Sequence, residues 1–243
     1  MMAPPIADQR VCITGAAHGL GAAIARAFAA KGARLVLMDF DRSALEASAE
    51  TLNAEAQLIC ADLSDPYACQ EAIRTMMSDP APVDTLIHNA AILRPEPFEA
   101  ITFHTYQATV NVGLQAGFQL AQSVWPAMKA RGGALVFVSS QSGIKGFADE
   151  TAYCAAKHGL EGLSKCLALE GAAHGILSCT ITPGKAMRTP MSEQNYPPEL
   201  KATWVEPDAL APAFIEIAET RNPAFNGQRL NAWDLSSAKE PTE

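Results

Sequence analysis

Tyr153 and Lys157 stand four residues apart, separated only by Cys154, Ala155 and Ala156. Four residues is about one helical turn, so in a helix both side chains project from one face. A phenol beside an ammonium ion is proton-transfer chemistry. The phenol alone titrates at about pH 10, and a neighbouring cation favours the phenolate, bringing the group nearer the pH at which a general acid or base works best. The three small side chains leave room beside the pair for a ligand. Ser140, 13 residues before Tyr153 and just past the apolar run ALVFV, can supply a hydroxyl to hold a substrate oxygen.

A second group of residues suits a phosphate. After the run RVCIT (10–14) comes TGAAHGLG, with Gly15, Gly19 and Gly21. Glycines between a strand and a helix let free N–H groups approach an anion closely, with the helix dipole adding to the attraction. The spacing is G-x3-G-x-G, and a turn that only packs strand on helix would look similar. Asp39 ends the next apolar run, 18 residues after Gly21. A carboxylate there accepts hydrogen bonds from ribose hydroxyls and repels a 2′-phosphate, which favours NAD over NADP. Arg42, three residues on, weighs against that preference. His18 lies inside the loop, over a phosphate or in solvent.

Positioning these groups requires a sheet. Apolar runs at 10–14, 34–38, 56–60, 84–88, 134–138, 177–181 and 228–232 are near-continuous in apolar character, as strands buried on both faces are. Amphipathic helical patterns such as GAAIARAFAAKG (21–32) lie between them, with Gly32 placed to end that helix. The alternation predicts an α/β fold: a Rossmann-type, doubly wound, mainly parallel seven-stranded sheet with helices on both faces. No linker or internal repeat divides the chain, so residues 1–243 read as a single domain with a substrate loop at about 184–206. The stretch from Pro183 to Pro207 reads as the least regular, and the tail from Ser236 as frayed.

Composition narrows the function. The chain has 243 residues, a net charge of −8 and no Lys/Arg run, which argues against nucleic-acid and anionic-membrane partners. Six scattered cysteines without a CxxC pair read as reduced thiols of a cytoplasmic protein. Neither a signal-peptide pattern nor a membrane-length apolar stretch is visible. The histidines show no metal-ligand spacing, so no catalytic metal is expected.

Taken in order, these motifs resemble the short-chain dehydrogenase/reductase family in its single-domain form, from about Arg10 to Asp234. TGAAHGLG, including Leu20, resembles the family's cofactor loop. Asp62-Leu63 resembles the pair that contacts adenine, and HNAA (88–91) the family's Asn-Asn-Ala-Gly stretch, with Asn89 and Ala90 retained and His88 and Ala91 departing. VNVG (110–113) supplies Asn111, and Ser140, Tyr153 and Lys157 match the serine and YxxxK positions. Pro183-Gly184 matches the turn after the sixth strand. PGKAMRTPM carries one residue more than the usual spacing, which leaves the register of Thr189 open as a cofactor contact.

The resemblance implies that Tyr153 exchanges the substrate hydroxyl proton and Ser140 orients the substrate oxygen. Lys157 would bind the nicotinamide ribose, and Asn111 would hold a water linking Lys157 to solvent. It implies an NAD-dependent dehydrogenase acting on CH–OH in a secondary alcohol or ketone: a polyol, sugar, hydroxy acid or cyclic alcohol. An NAD(H)-binding regulator on the same scaffold is the alternative. Substrate candidates are Arg94, Ser142, Lys145, Met187 and Arg188. The basic ones among them, with Lys185, raise the option of an anionic substrate, while Glu96, Asp149, Glu150 and Glu193 on the same loops oppose it. His88 reads as a packed core residue in preference to a substrate contact. Surplus apolar residues on the helices near 103–130 and 152–173 point to a homo-oligomer, a tetramer in preference to a dimer.

Overall fold

The computed structural model describes residues 3–238. Seven parallel strands form one sheet in the order β3-β2-β1-β4-β5-β6-β7. They are β1 (Arg10–Thr14), β2 (Arg34–Asp39), β3 (Ala56–Cys60), β4 (Thr85–His88), β5 (Gly133–Val138), β6 (Ile176–Thr182) and β7 (Arg229–Asn231). The connecting helices are α1 (Gly19–Ala30), α2 (Arg42–Glu50), α3 (Pro66–Met77), α4 (Phe103–Val110), α5 (Ala116–Arg131), α6 (Thr151–Gly171), α7 (Pro190–Asn195), α8 (Ala211–Thr220) and α9 (Ala232–Ser237). The doubly wound α/β reading is therefore correct, with every strand pair parallel.

The sheet is parallel because its strands are apolar on both faces. In β1, Val11 and Ile13 enter one core with Ile24 and Phe28 of α1 and Phe214 and Ile217 of α8. Cys12, between them, enters the opposite core with Met76, Leu120, Phe137 and Leu160. Helices must cover both sides, and the right-handed crossovers that deliver them bring all strand C-termini to one edge. Strand order reverses between β1 and β4, and the crevice at such a reversal is where open α/β sheets bind ligands.

Local chemistry sets the element ends. Asp41 and Asp65 cap α2 and α3 by accepting from Ala44 N and Tyr67 N, and Pro66 opens α3. Helix α1 begins at Gly19, two residues before the periodic pattern starts. Between α4 and α5 the helix continues through a π-helical turn at Asn111–Gln115. Such turns are rare and frequent at functional sites.

Two expectations change. The stretch from Pro183 to Pro207 is more ordered than its five prolines suggest. It holds α7, whose N-terminus is capped by Thr189, and a 3-10 helix at Pro198–Thr203, because proline is compatible with a first helical turn. Ser236 is not frayed: it is buried in α9, where its hydroxyl accepts from Ala213 N and donates to Leu210 O. Residues 239–243 of the expected tail lie outside the described residues.

Phe28 is fully buried where α1 packs on the sheet. Phe28→Ala is expected to lower unfolding free energy by about 3–5 kcal/mol, read from the urea midpoint at unchanged m-value.

Candidate active site

The end of β5 and the start of α6 bring three side chains together. Ser140 caps a short 3-10 turn at Gln141–Gly143, its Oγ accepting from Ser142 N at 3.2 Å. Tyr153 lies in the first turn of α6, and its phenol shares a hydrogen bond with Ser140. Lys157, one turn later, is only 2% exposed and donates from Nζ to Val138 O at 2.6 Å. Its ammonium lies 5.5 Å from the centroid of the Tyr153 ring. The helical spacing does place phenol and ammonium on one face.

The electrostatics run opposite to the simple expectation for the phenol. Burial raises the Tyr153 pKa above its ordinary value; the Ser140 hydrogen bond opposes this, and the Tyr196 and Glu150 side chains add to the rise. Burial lowers the Lys157 pKa to about 8, with the Glu161 charge acting against the fall. Desolvation disfavours the charged form of each group.

The β4 end completes the floor. Thr14 Oγ1 accepts from Asn89 N and Ala90 N, both at 3.1 Å, so its own proton is directed to His88 Nδ1 at 3.0 Å. The proton of His88 then sits on Nε2, which is buried without a well-formed partner beside the π-turn carbonyls of Val112 and Gly113. His88 is a core residue, and burial lowers its pKa to about 3, with the Lys157 charge acting in the same direction. Asn111 opens the π-turn, and its Nδ2 donates to Ser64 O at 2.8 Å. That bond ties the turn to the loop carrying Asp62 and Leu63. Asp62 is exposed and accepts from Ser64 N, whereas the Leu63 side chain packs inward with Cys69 and Val112.

The glycine loop has the geometry of a phosphate cradle. A Cβ at Gly21 would come within 2.0 Å of Gly15 O and 2.8 Å of Asn89 Nδ2, so only glycine fits. Asn89 Nδ2 donates to Thr14 O and Gly15 O, holding the loop to β4. Gly19 has φ +52°, and a Cβ there would touch the Thr189 side chain at 2.9 Å, which brings Thr189 over the loop despite the extra residue before it. Gly184 similarly approaches Asn231, and Pro183 O accepts from Trp233 N. His18 is exposed and makes no side-chain cap; Leu20 packs into the core, leaving only its backbone at the loop. Asp39 is 8% exposed and accepts from Ala17 N at 3.0 Å and Asp41 N at 3.2 Å. This cradle, closed to any Cβ and backed by a buried acid, fits a dinucleotide.

The five substrate candidates disperse. Arg94 lines a small cavity with Tyr153, Thr105, Glu96 and Asp149. Ser142 is buried and donates to Glu150 Oε2 at 2.7 Å while Ser140 Oγ donates to it at 3.3 Å. Lys145 is exposed on the loop before α6. Met187 pairs through its backbone with Val205 and packs against the core. Arg188 lies in a different cavity, beside His18 and Gly19, and is paired with Glu206 at 2.8 Å. The sequence reading assigns no site role to Glu150, Glu161 or Arg229. The spacing of Glu161, one turn past Lys157, was the available signal for one of them.

The chain matches the family model for short chain dehydrogenases over residues 9–200. It belongs to that family. The D-threitol dehydrogenase of Mycolicibacterium smegmatis is 31% identical to this short-chain dehydrogenase over 230 residues, covering 90% of this chain and 88% of the relative. Mouse (Mus musculus) L-xylulose reductase is 35% identical over 199 residues, covering 81% and 79%. A solved Beutenbergia cavernae chain, assigned as an NAD(P)-dependent gluconate 5-dehydrogenase and holding NADP at low occupancy, superposes with a TM-score of 0.84 at 25% identity, covering 95% of this chain and 99% of that one. Among the described residues no helix is long and apolar enough to cross a membrane, and no group of three or more His, Cys, Asp or Glu could hold a metal.

His88 gives this dehydrogenase an acid sensitivity with a defined sign. Its folded pKa of about 3 lies below the unfolded value of about 6.5. Between these values the unfolded chain binds a proton that the fold excludes, so stability falls as pH drops from 6.5 towards 3. Urea midpoints across that range should fall, with His88 contributing on the order of 3–5 kcal/mol. His88→Asn should flatten that part of the curve.

Proposed function

We propose that this dehydrogenase interconverts a secondary alcohol and a ketone with NAD, and that its substrates are uncharged polyols or sugars. The observation that carries the reading is the convergence of Ser140, Tyr153 and Lys157 at the strand edge, next to a glycine cradle backed by Asp39. When bound, the nicotinamide supplies the hydride chemistry. Gly15, Gly19, Gly21, Thr189 and Asp39 would hold the dinucleotide, with Asn89 and Ala90 beneath it, and Lys157 would bind the nicotinamide ribose. Tyr153 Oη gives its proton to the carbonyl oxygen in reduction and takes the carbinol proton in oxidation. Ser140 Oγ steadies the same oxygen. Because burial keeps the phenol protonated, alkaline pH favours oxidation and neutral pH favours reduction.

Two features support NAD. Asp39, a buried carboxylate at the end of β2, would repel a 2′-phosphate. The arginines nearby already have carboxylate partners: Arg42 with Glu46, Arg26 with Asp208 and Arg188 with Glu206. Charge also supports a neutral substrate, since Glu96, Asp149 and Glu150 stand around Tyr153 against Arg94 and the buried Lys157. The names of the relatives, a threitol dehydrogenase and a xylulose reductase, point the same way. The fold is a single domain in a homo-oligomer, tetramer favoured. Phe103, Phe118 and Leu169, on α4, α5 and α6, are 76%, 46% and 82% exposed, and an assembly would cover them.

A panel of polyols, cyclic alcohols and hydroxy acids with NAD and with NADP tests the reading by NADH or NADPH absorbance. Polyol oxidation with higher kcat/KM for NAD is expected, and Tyr153→Phe should lose at least about 10²–10⁴-fold in kcat. Preference for hydroxy acids would refute the neutral substrate. Bound NADH with no turnover of any alcohol would favour a regulator. Light scattering should give a mass of several subunits, and Phe103→Glu with Leu169→Glu should reduce it; a monomeric wild type would end the assembly proposal.

A further inference from the structure

Glu161 lies one turn beyond Lys157 on α6 and is 6% exposed. Its carboxylate collects donors from the ends of three strands. Ser139 Oγ, just past β5, donates to Oε1 at 2.5 Å; Thr180 Oγ1 of β6 donates to Oε2 at 2.8 Å; Arg229 Nε of β7 donates to Oε1 at 3.1 Å. Arg229 also donates from Nη2 to the backbone carbonyl of Ser140 at 3.0 Å. The turn after Ser140 rests on the same cluster: a Cβ at Gly143 would come within 2.6 Å of Ser139 Oγ and 3.3 Å of Glu161 Cγ. A buried carboxylate is costly unless its lone pairs are satisfied, so the network holds only with all three strand ends in register.

The same carboxylate is the acidic charge acting on Lys157. The other groups facing that ammonium are Val138 O from β5, the Tyr153 phenol from α6 and the neutral His88 imidazole from β4. Arg229 is ion-paired with Glu161 Oε1 at 3.1 Å and offsets part of its charge. We propose that Glu161 is a positioning residue of the reaction: it seats Ser140 through Ser139 and Arg229, and it supplies the counter-charge that keeps Lys157 an ammonium. The proposal rests on the assignment of Ser140 and Lys157 to the reaction.

The test combines a direct titration with kinetics. Lys157 Nζ is followed by ¹⁵N NMR in the cofactor-free protein, its signal assigned with Lys157→Arg. Glu161→Gln should move the Lys157 midpoint down by about one pH unit, because burial then acts unopposed. Arg229→Met should move it up, since the Glu161 charge is then no longer offset. Glu161→Asp, which keeps the charge, should stay near wild type and covers the case of a Gln variant that fails to fold. General loosening would hydrate Lys157 and raise its midpoint in every variant, so the opposite shifts separate positioning from stability. With the best substrate of the panel, Glu161→Gln and Arg229→Met should each lose roughly tenfold or more in kcat through misplacement of Ser140, with KM for NAD changed far less. A Lys157 midpoint unmoved or raised in Glu161→Gln, or kcat within about twofold of wild type, overturns the proposal. Absence of any wild-type turnover removes the reaction assignment instead, and the titration still decides whether Glu161 holds the charge of Lys157.

Discussion

A parallel sheet buried on both faces leaves its polar chemistry one outlet, the edge at which all strands end. In this protein that edge is drawn together by Thr14 Oγ1, which accepts two backbone N–H groups from the end of β4 and donates to His88. The bonds pin β1 to β4 at the reversal of strand order, and Asn89 carries the link on to the glycine loop. Without that closure the cradle has no fixed floor, because Asn89 holds the Gly15 carbonyl so close to Gly21 that no Cβ fits there. The same edge receives Ser139 and Ser140 from β5 and Thr180 from β6.

Desolvation governs the chemistry of the groups gathered there. Tyr153, Lys157 and His88 are each pushed towards their neutral forms by burial. Each also has a specific partner: a hydroxyl for the phenol, a carbonyl for the ammonium, a threonine for the imidazole. The phenol and the imidazole are thereby held neutral, and only Lys157, at about 8, stands close to a change of charge. Glu161 is the counterweight, a full charge kept in the core because three strand ends satisfy it.

The surface charges fit the same economy. A protein of net charge −8 has few cations to spare, and those near the cofactor loop are already bound to carboxylates. Around Tyr153 the acidic side chains outnumber the basic ones. The uncharged, hydroxyl-rich substrates we propose would suit such surroundings better than anions, since carboxylates accept hydrogen bonds from hydroxyls and repel other anions.

The seven strands were legible within about two residues because unbroken apolar runs, bounded by polar turns, have no other low-energy home. The YxxxK pair, Ser140 and the glycine loop were legible because their spacing is local: a helical turn and a strand-to-helix loop determine which side chains meet. The partners of Glu161 were not, since residues 139, 180 and 229 meet only when three strands come into register. Nor was the raised phenol, because burial depends on everything packed around it. The destinations of Met187 and Arg188 were equally hidden: a one-residue shift in a loop sends side chains to different cavities, and only the packing of the whole fold selects between them. Sequence alone determined the elements and the local pairs; tertiary structure decided desolvation, long-range hydrogen bonds and which charges face one another.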